Sequence, residues 1–150
     1  HFTYQNILPM SWLHPFYPFG GIGVFKNFLG ISFSLNYVEN LGAAWGLFAN
    51  HAEYLFYFRL IIIAALGFYL LFFPTKEKKA LFWPLLLVLA GAVGNVLDRF
   101  LYRHVVDMFH FIFWGYSFPV FNLADTYITL GIGWLIFLSL WHKKGEQQKC

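Results

Sequence analysis

Three stretches of this chain are apolar for about as long as a lipid bilayer is thick: residues 54–73, 80–97 and 120–141. A helix needs about 20 residues to cross a hydrocarbon layer of roughly 30 Å. Inside that layer every backbone N–H and C=O must be bonded within its own segment, so an apolar run of this length is helical. The three runs predict a membrane-embedded α-helical bundle forming one domain, residues 1–150. Composition points the same way. The chain is 59% hydrophobic, 23% aromatic and only 11% charged, whereas a soluble domain carries about 25% charged residues. The net charge of +3 is small, and nothing in its placement suggests a nucleic-acid partner.

Within the first run the single charge, Arg59, lies near one end and can snorkel to the interface. In the second, Pro84 is expected in the first turn, where proline costs little, and Gly91 and Gly94 allow a close helix neighbour. Basic residues set the orientation. Lys76, Lys78 and Lys79 join the first two runs, and Lys143, Lys144 and Lys149 follow the third. By the positive-inside rule this side is cytoplasmic, which leaves residues 1–53 and 98–119 outside. Three spans with an inside C-terminus place His1 outside. A four-span gene product is therefore expected, its first helix upstream of His1.

Residues 1–53 lack a helical pattern. In ISFSLNYVEN, Ile31, Phe33, Leu35 and Tyr37 alternate with Ser32, Ser34, Asn36 and Val38, a period of two that reads as a half-buried strand. The preceding FGGIGVF suits a turn or a strand edge. A small, aromatic-rich extracytoplasmic β platform is expected, with Trp12 and Trp45 in the interfacial zone. Cys150 is the sole cysteine, so no internal disulfide can form. His51 and Glu53 are expected to face solvent.

The chain has three aspartates, Asp98, Asp107 and Asp125, all within one stretch of 28 residues. Asp125 lies in the third apolar run, and an ionisable group there is costly enough to mark a functional site. Helical spacing puts Asn122, Asp125 and Thr129 on one face, with Asp125 about 8 Å inside the start of a span beginning at residue 120. Asn95, Asp98 and Arg99 lie within little more than a turn at the outer end of the second run. Asp98 and Arg99 read as support, Arg99 being able to reach a carboxylate on a neighbouring element. Asp107 sits among apolar and aromatic residues in RHVVDMFHFIFWGYSF. His104, Asp107 and His110 resemble a metal-ligand set, but their spacing drifts round a helix and alternates on a strand, and no HExxH motif is present. The small residues Gly42, Ala43, Ala44 and Gly46 suit either a tight turn or a backbone contact to a peptide, for which Asn40 offers an amide. Two carboxylates near a membrane face suggest acid/base hydrolysis. A transporter would need a polar path, which the inner parts of the runs lack. A lipid-binding scaffold would have no need of Asp107 and Asp125 together.

Four short motifs, NLGAAWG, GNVLDR, VVDMFHF and FNLADT, stand in this order between residues 40 and 129. Together they resemble the lipoprotein signal peptidase (signal peptidase II) family. The resemblance implies a bacterial inner-membrane aspartyl endopeptidase that cuts prolipoproteins just before a diacylglyceryl-modified cysteine. It places the catalytic pair on Asp107 and Asp125, and the supporting polar residues on Asn40, Asn95, Asp98, Arg99 and Asn122. It further implies a monomer that needs no metal or organic cofactor, works in contact with membrane lipid, and is inhibited by cyclic peptides of the globomycin type. The family's opening helix, with its D-x-x-[ST]-K pattern, has no counterpart in this chain. Lys26 stands in the wrong context.

Overall fold

A computed structural model describes residues 7, 9–10, 16–41, 52–72 and 79–147. The expectations for Trp12, Gly42, Ala43, Ala44, Trp45, Gly46, His51, Lys76, Lys78, Lys149 and Cys150 fall outside these residues. In chain order the elements are β1 (Ile22–Phe28), β2 (Ile31–Asn40), α1 (Ala52–Phe72), α2 (Lys79–Tyr102), β3 (Val105–Phe113), β4 (Tyr116–Ser117) and α3 (Leu123–Gln147). They divide into two compact units, His1–Leu55 with Asp98–Asn122 and Phe56–Leu97 with Leu123–Cys150.

The first unit is built on an antiparallel sheet in the order β1-β2-β3-β4. Two tight hairpins make it. Phe28 pairs with Ile31 and Phe113 with Tyr116, leaving Leu29-Gly30 and Trp114-Gly115 as two-residue turns. All four turn residues have positive φ, the mirror-image turn whose twist matches the flanking strands. Glycine supplies half of each turn at no steric cost. Leu29 and Trp114 supply the other half against their preference, 79% and 77% exposed.

The two sheet faces differ chemically. One carries Phe33, Phe109, Phe111 and Phe113. Phe33 stacks on Phe111 at 4.4 Å between centroids, and Phe121 packs on both Phe109 and Phe111. The other carries Ser34, Asn36 and His110, all buried. The alternation in β2 thus predicts the strand correctly but misassigns its buried side, because the polar face is covered by the chain before β1. Pro18 O accepts from the Asn36 amide at 2.8 Å, Ser34 Oγ donates to Asn36 Oδ1 at 2.7 Å, and the Phe19 ring lies 5.0 Å from that of His110. Satisfied internally, these polar groups can be buried without the cost of orphaned donors.

In the second unit, α2 and α3 pack closely in antiparallel fashion through small residues. A Cβ on Gly91 would collide with the Ala124 carbonyl and Ile128, and one on Gly94 would lie 3.2 Å from Ala124 Cβ. At the other end of the contact, a Cβ on Gly131 would lie 2.6 Å from the Pro84 carbonyl. Pro84 itself is the sixth residue of α2, inside the helix and past its first turn. There it removes a donor from the ladder, which the expected first-turn position would have avoided. Among the described residues two helices are long and apolar enough to cross a membrane, Ala80–Tyr102 and Leu123–Trp141, and Phe56–Phe72 is a shorter apolar helix. Three boundaries differ from expectation by three residues or more, one of them the end of α3, which runs past 141 to Gln147. α2 continues past Leu97 to Tyr102, and α3 starts at Leu123 rather than 120 because Phe121 is held in extended pairing with β3.

Candidate active site

Asp107 is the third residue of β3 and is 2% exposed. Sequence spacing alone leaves its element open. The structure makes it strand, on the same face as Phe109, Phe111 and Phe113, so the carboxylate ends a row of aromatic rings. Two amides hold it. Asn40 Nδ2 donates to Oδ2 at 2.9 Å and Asn122 Nδ2 donates to Oδ1 at 2.8 Å. An ionised carboxylate only accepts hydrogen bonds, and here both oxygens receive N–H donors.

Asn40 reaches Asp107 because of a β-bulge. Leu35 pairs with Phe109, and the next pair is Val38 with Asp107, so Asn36 and Tyr37 together oppose Met108. The extra residue reverses the alternation of β2. Without it Asn40 would share the face of Ser34 and Asn36, but with it Asn40 joins the face of Asp107. The carbonyl of the bulged Tyr37 accepts from Met10 N–H at 2.8 Å.

Asn122 arrives by a different route. Phe121 O accepts from Met108 N and Phe109 N at 3.0 and 2.7 Å, and Phe121 N donates back to Phe109 O at 3.2 Å. This short antiparallel pairing delays the helix and lays Asn122 beside Asp107. Asn122 therefore does not share a helix face with Asp125, as helical spacing had suggested. It precedes the helix, and Asp125 sits in the first turn of α3 rather than about 8 Å along a span. Thr129 is exposed.

Asp98 and Arg99, in the last turns of α2, brace the chain on either side of Asp107. Asp98 Oδ2 accepts from Val106 N–H at 3.2 Å, and Arg99 Nη1 donates to Leu41 O at 2.8 Å. Asp98 thus holds the backbone of the residue before Asp107. The group that Arg99 holds in this bond is the backbone carbonyl of the residue after Asn40.

The second unit carries the other two site residues. Asn95 is buried in α2 at 7% exposure, and its Nδ2 donates to Asp125 Oδ1 at 2.8 Å. Glycine makes this bond possible. Gly91 and Gly94, one turn and one residue before Asn95, let the start of α3 approach at Ala124, which brings Asp125 within reach.

The two histidines flanking Asp107 have other partners. His104 Nε2 lies 3.0 Å from Tyr37 Oη. His110 projects from the opposite face of β3, where its Nε2 lies 2.8 Å from Ser117 Oγ. Its Nδ1 is buried without a partner, and burial pushes its pKa below the ordinary 6.5. Sequence reasoning took Tyr37 only as a strand residue and His104 only as part of a metal-ligand pattern, and did not foresee their contact. Their association depends on the bulge, for which the sequence carries no signal.

Residues 11–141 match the family model described as signal peptidase (SPase) II. The chain is 39% identical over 118 residues to the lipoprotein signal peptidase of Chlamydia pneumoniae, covering 79% of this chain and 70% of that one. It is 38% identical over 129 residues to that of Clostridium tetani, covering 85% and 80%. Among solved structures it resembles a bacterial membrane enzyme determined in meso at 2.3 Å, with a TM-score of 0.77 and 26% identity over 96% of this chain and 79% of the other. A second such enzyme, at 1.9 Å, gives 0.64 and 31% over 80% and 76%.

Proposed function

This chain belongs to the signal peptidase II family, a family of membrane proteases that process lipoproteins, and from that premise we propose that Asp107 and Asp125 are its catalytic pair. The reading makes it an aspartyl endopeptidase that cleaves diacylglyceryl-modified prolipoproteins immediately before the lipidated cysteine. The observation that carries it is the setting of Asp107: a buried carboxylate with an amide donor on each oxygen, at the end of an aromatic sheet face. A structural aspartate on such a strand gains nothing from burial that an apolar residue would not give at lower cost. Asp125 has a comparable hold in the Asn95 amide. Asn122, which bonds Asp107, precedes Asp125 by three residues in the chain.

In this mechanism the two carboxylates share one proton, since like charges brought close do not both ionise. The ionised partner takes a proton from a water molecule, which attacks the scissile carbonyl. The protonated partner polarises that carbonyl and then protonates the leaving amine. No covalent enzyme intermediate forms. Exclusion of bulk water at a bilayer edge strengthens each electrostatic contact. The acyl chains of the substrate stay in lipid against apolar helix faces. In this reading the side with the basic residues between α1 and α2 and after α3 is cytoplasmic by the positive-inside rule, and the pair works toward the outer face of the inner membrane.

The test is cleavage of a lipidated precursor by single variants. Asp107→Asn and Asp125→Asn should each abolish turnover while the protein still accumulates in the membrane. Turnover that survives in either variant rejects the assignment.

A further inference from the structure

Behind the strand that carries Asp107, on the opposite side of the sheet, three side chains form a hydrogen-bonded cluster with no part in the mechanism above. Tyr37 Oη donates to Glu39 Oε1 at 2.9 Å and lies 3.0 Å from His104 Nε2, while His104 Nδ1 lies 4.0 Å from Glu39 Oε2. Tyr37 and His104 are both buried. A hydroxyl has one hydrogen, so if Tyr37 donates to Glu39, His104 must donate to Tyr37 from Nε2, which fixes the imidazole tautomer. Tyr37 also packs on Ile7 and Val106, with Tyr102 against them.

The position of this cluster gives it its interest. Tyr37 is one of the two bulged residues of β2. His104 immediately precedes Val105, which pairs with Asn40. Arg103, just before it, has φ +69°, a left-handed conformation that costs a non-glycine residue about 1–2 kcal/mol. The chain thus reverses from α2 into β3 through a strained residue, and the next side chain is tied across the sheet to the bulge. A bulge is held only by what pins its extra residue. If β2 slips by one position, each side chain beyond it moves to the opposite face. Asn40 would then leave Asp107.

We propose that Tyr37 and His104 are positioning residues: their hydrogen bond locks the bulge in β2 and so delivers the Asn40 amide to Asp107. The proposal rests on Asp107 being catalytic. Neither side chain touches the carboxylate. They act on it through Asn40, three residues beyond Tyr37 and 2.9 Å from Asp107.

The experiment measures kcat and KM for a diacylglyceryl-cysteine peptide with the purified chain in lipid nanodiscs. Tyr37→Phe and His104→Leu should each lower kcat about tenfold, the worth of one buried hydrogen bond, with KM little changed. His104→Gln should restore most of kcat, because its terminal amide can donate to Tyr37 where leucine cannot. In an Asn40→Ala background, Tyr37→Phe should have no further effect on kcat. The side-chain amide resonance of Asn40 should shift in Tyr37→Phe and return in His104→Gln relative to His104→Leu. Independent, multiplying losses in Tyr37→Phe/Asn40→Ala overturn the proposal, as does an unmoved Asn40 resonance. Turnover retained by Asp107→Asn instead rejects the catalytic assignment itself. A dead Asp107→Asn with fully active Tyr37→Phe and His104→Leu rejects the positioning role alone.

Discussion

Asn122 and Asp107 stand fifteen residues apart in the chain and are joined by a 2.8 Å hydrogen bond from amide to carboxylate, both side chains buried. The bond exists because one residue, Phe121, pairs with β3 before the helix can start. Replacing Asn122 with leucine keeps the volume and removes the donor. Asp107 would lose a partner where water does not easily replace it, at about 1–3 kcal/mol of stability. Asn122→Leu is expected to lower both the melting temperature and kcat, and a thermal melt alongside the cleavage assay separates the two losses.

The helix contact makes a second, sharper prediction. Gly91→Ala places a methyl group against the backbone carbonyl of Ala124, which cannot rotate away. Overpacking of this kind costs about 1–3 kcal/mol, and separation of α2 from α3 would draw Asn95 off Asp125. Gly67→Ala, on α1, is the control, since a Cβ there meets nothing within 4 Å. It should be neutral or stabilise by up to about 1 kcal/mol, the helix preference for alanine over glycine. Activity and melting temperature of the two variants should diverge accordingly.

His110 predicts acid sensitivity in the sheet. Its pKa in the folded chain is lowered by burial, so the folded state favours the neutral ring. The stability associated with it is fully present above the unfolded value of about 6.5. It is lost as pH falls below that value toward the lowered folded pKa. His110→Gln, which keeps an amide near Ser117, should flatten this part of the profile. Melting temperatures taken between pH 8 and pH 5 test it, and equal slopes in the two proteins would dismiss the histidine.

Asp98 offers a graded case. Its Oδ2 accepts the Val106 N–H, a bond that an asparagine oxygen can also accept and an alanine cannot. Asp98→Ala should destabilise by about 1–2 kcal/mol and Asp98→Asn by less. Denaturation of the two variants in matched detergent would order them, and equal losses would assign Asp98 a role through its charge.

Much of this arrangement could be read from the residues. Long apolar runs give the helices because bilayer thickness sets their length, and Gly91 and Gly94 mark the close helix contact because only small side chains permit it. The alternation in β2 gives the strand. Its buried side was not legible, because Ser34 and Asn36 look solvent-facing until Pro18 and Phe19 are seen to cover them. β3 was hidden for another reason: VVDMFHFIF is apolar on both faces and has no period, and only the Trp114-Gly115 turn hints at a hairpin. The Asn40–Asp107 bond was out of reach altogether. Strict alternation from Ser34 puts Asn40 on the wrong face, and the bulge that corrects it is set by tertiary contacts at Tyr37.

Asparagine amides donate three hydrogen bonds to Asp107 and Asp125. Neutral dipoles attract no counterion atmosphere, whereas the attraction between exposed ions fades over a Debye length of roughly 8 Å in physiological salt. At the outer membrane face proposed above, a site meets whatever ionic strength the surroundings impose. The three amide bonds to Asp107 and Asp125 are therefore expected to keep their lengths as salt rises, where a bond between exposed ions would loosen.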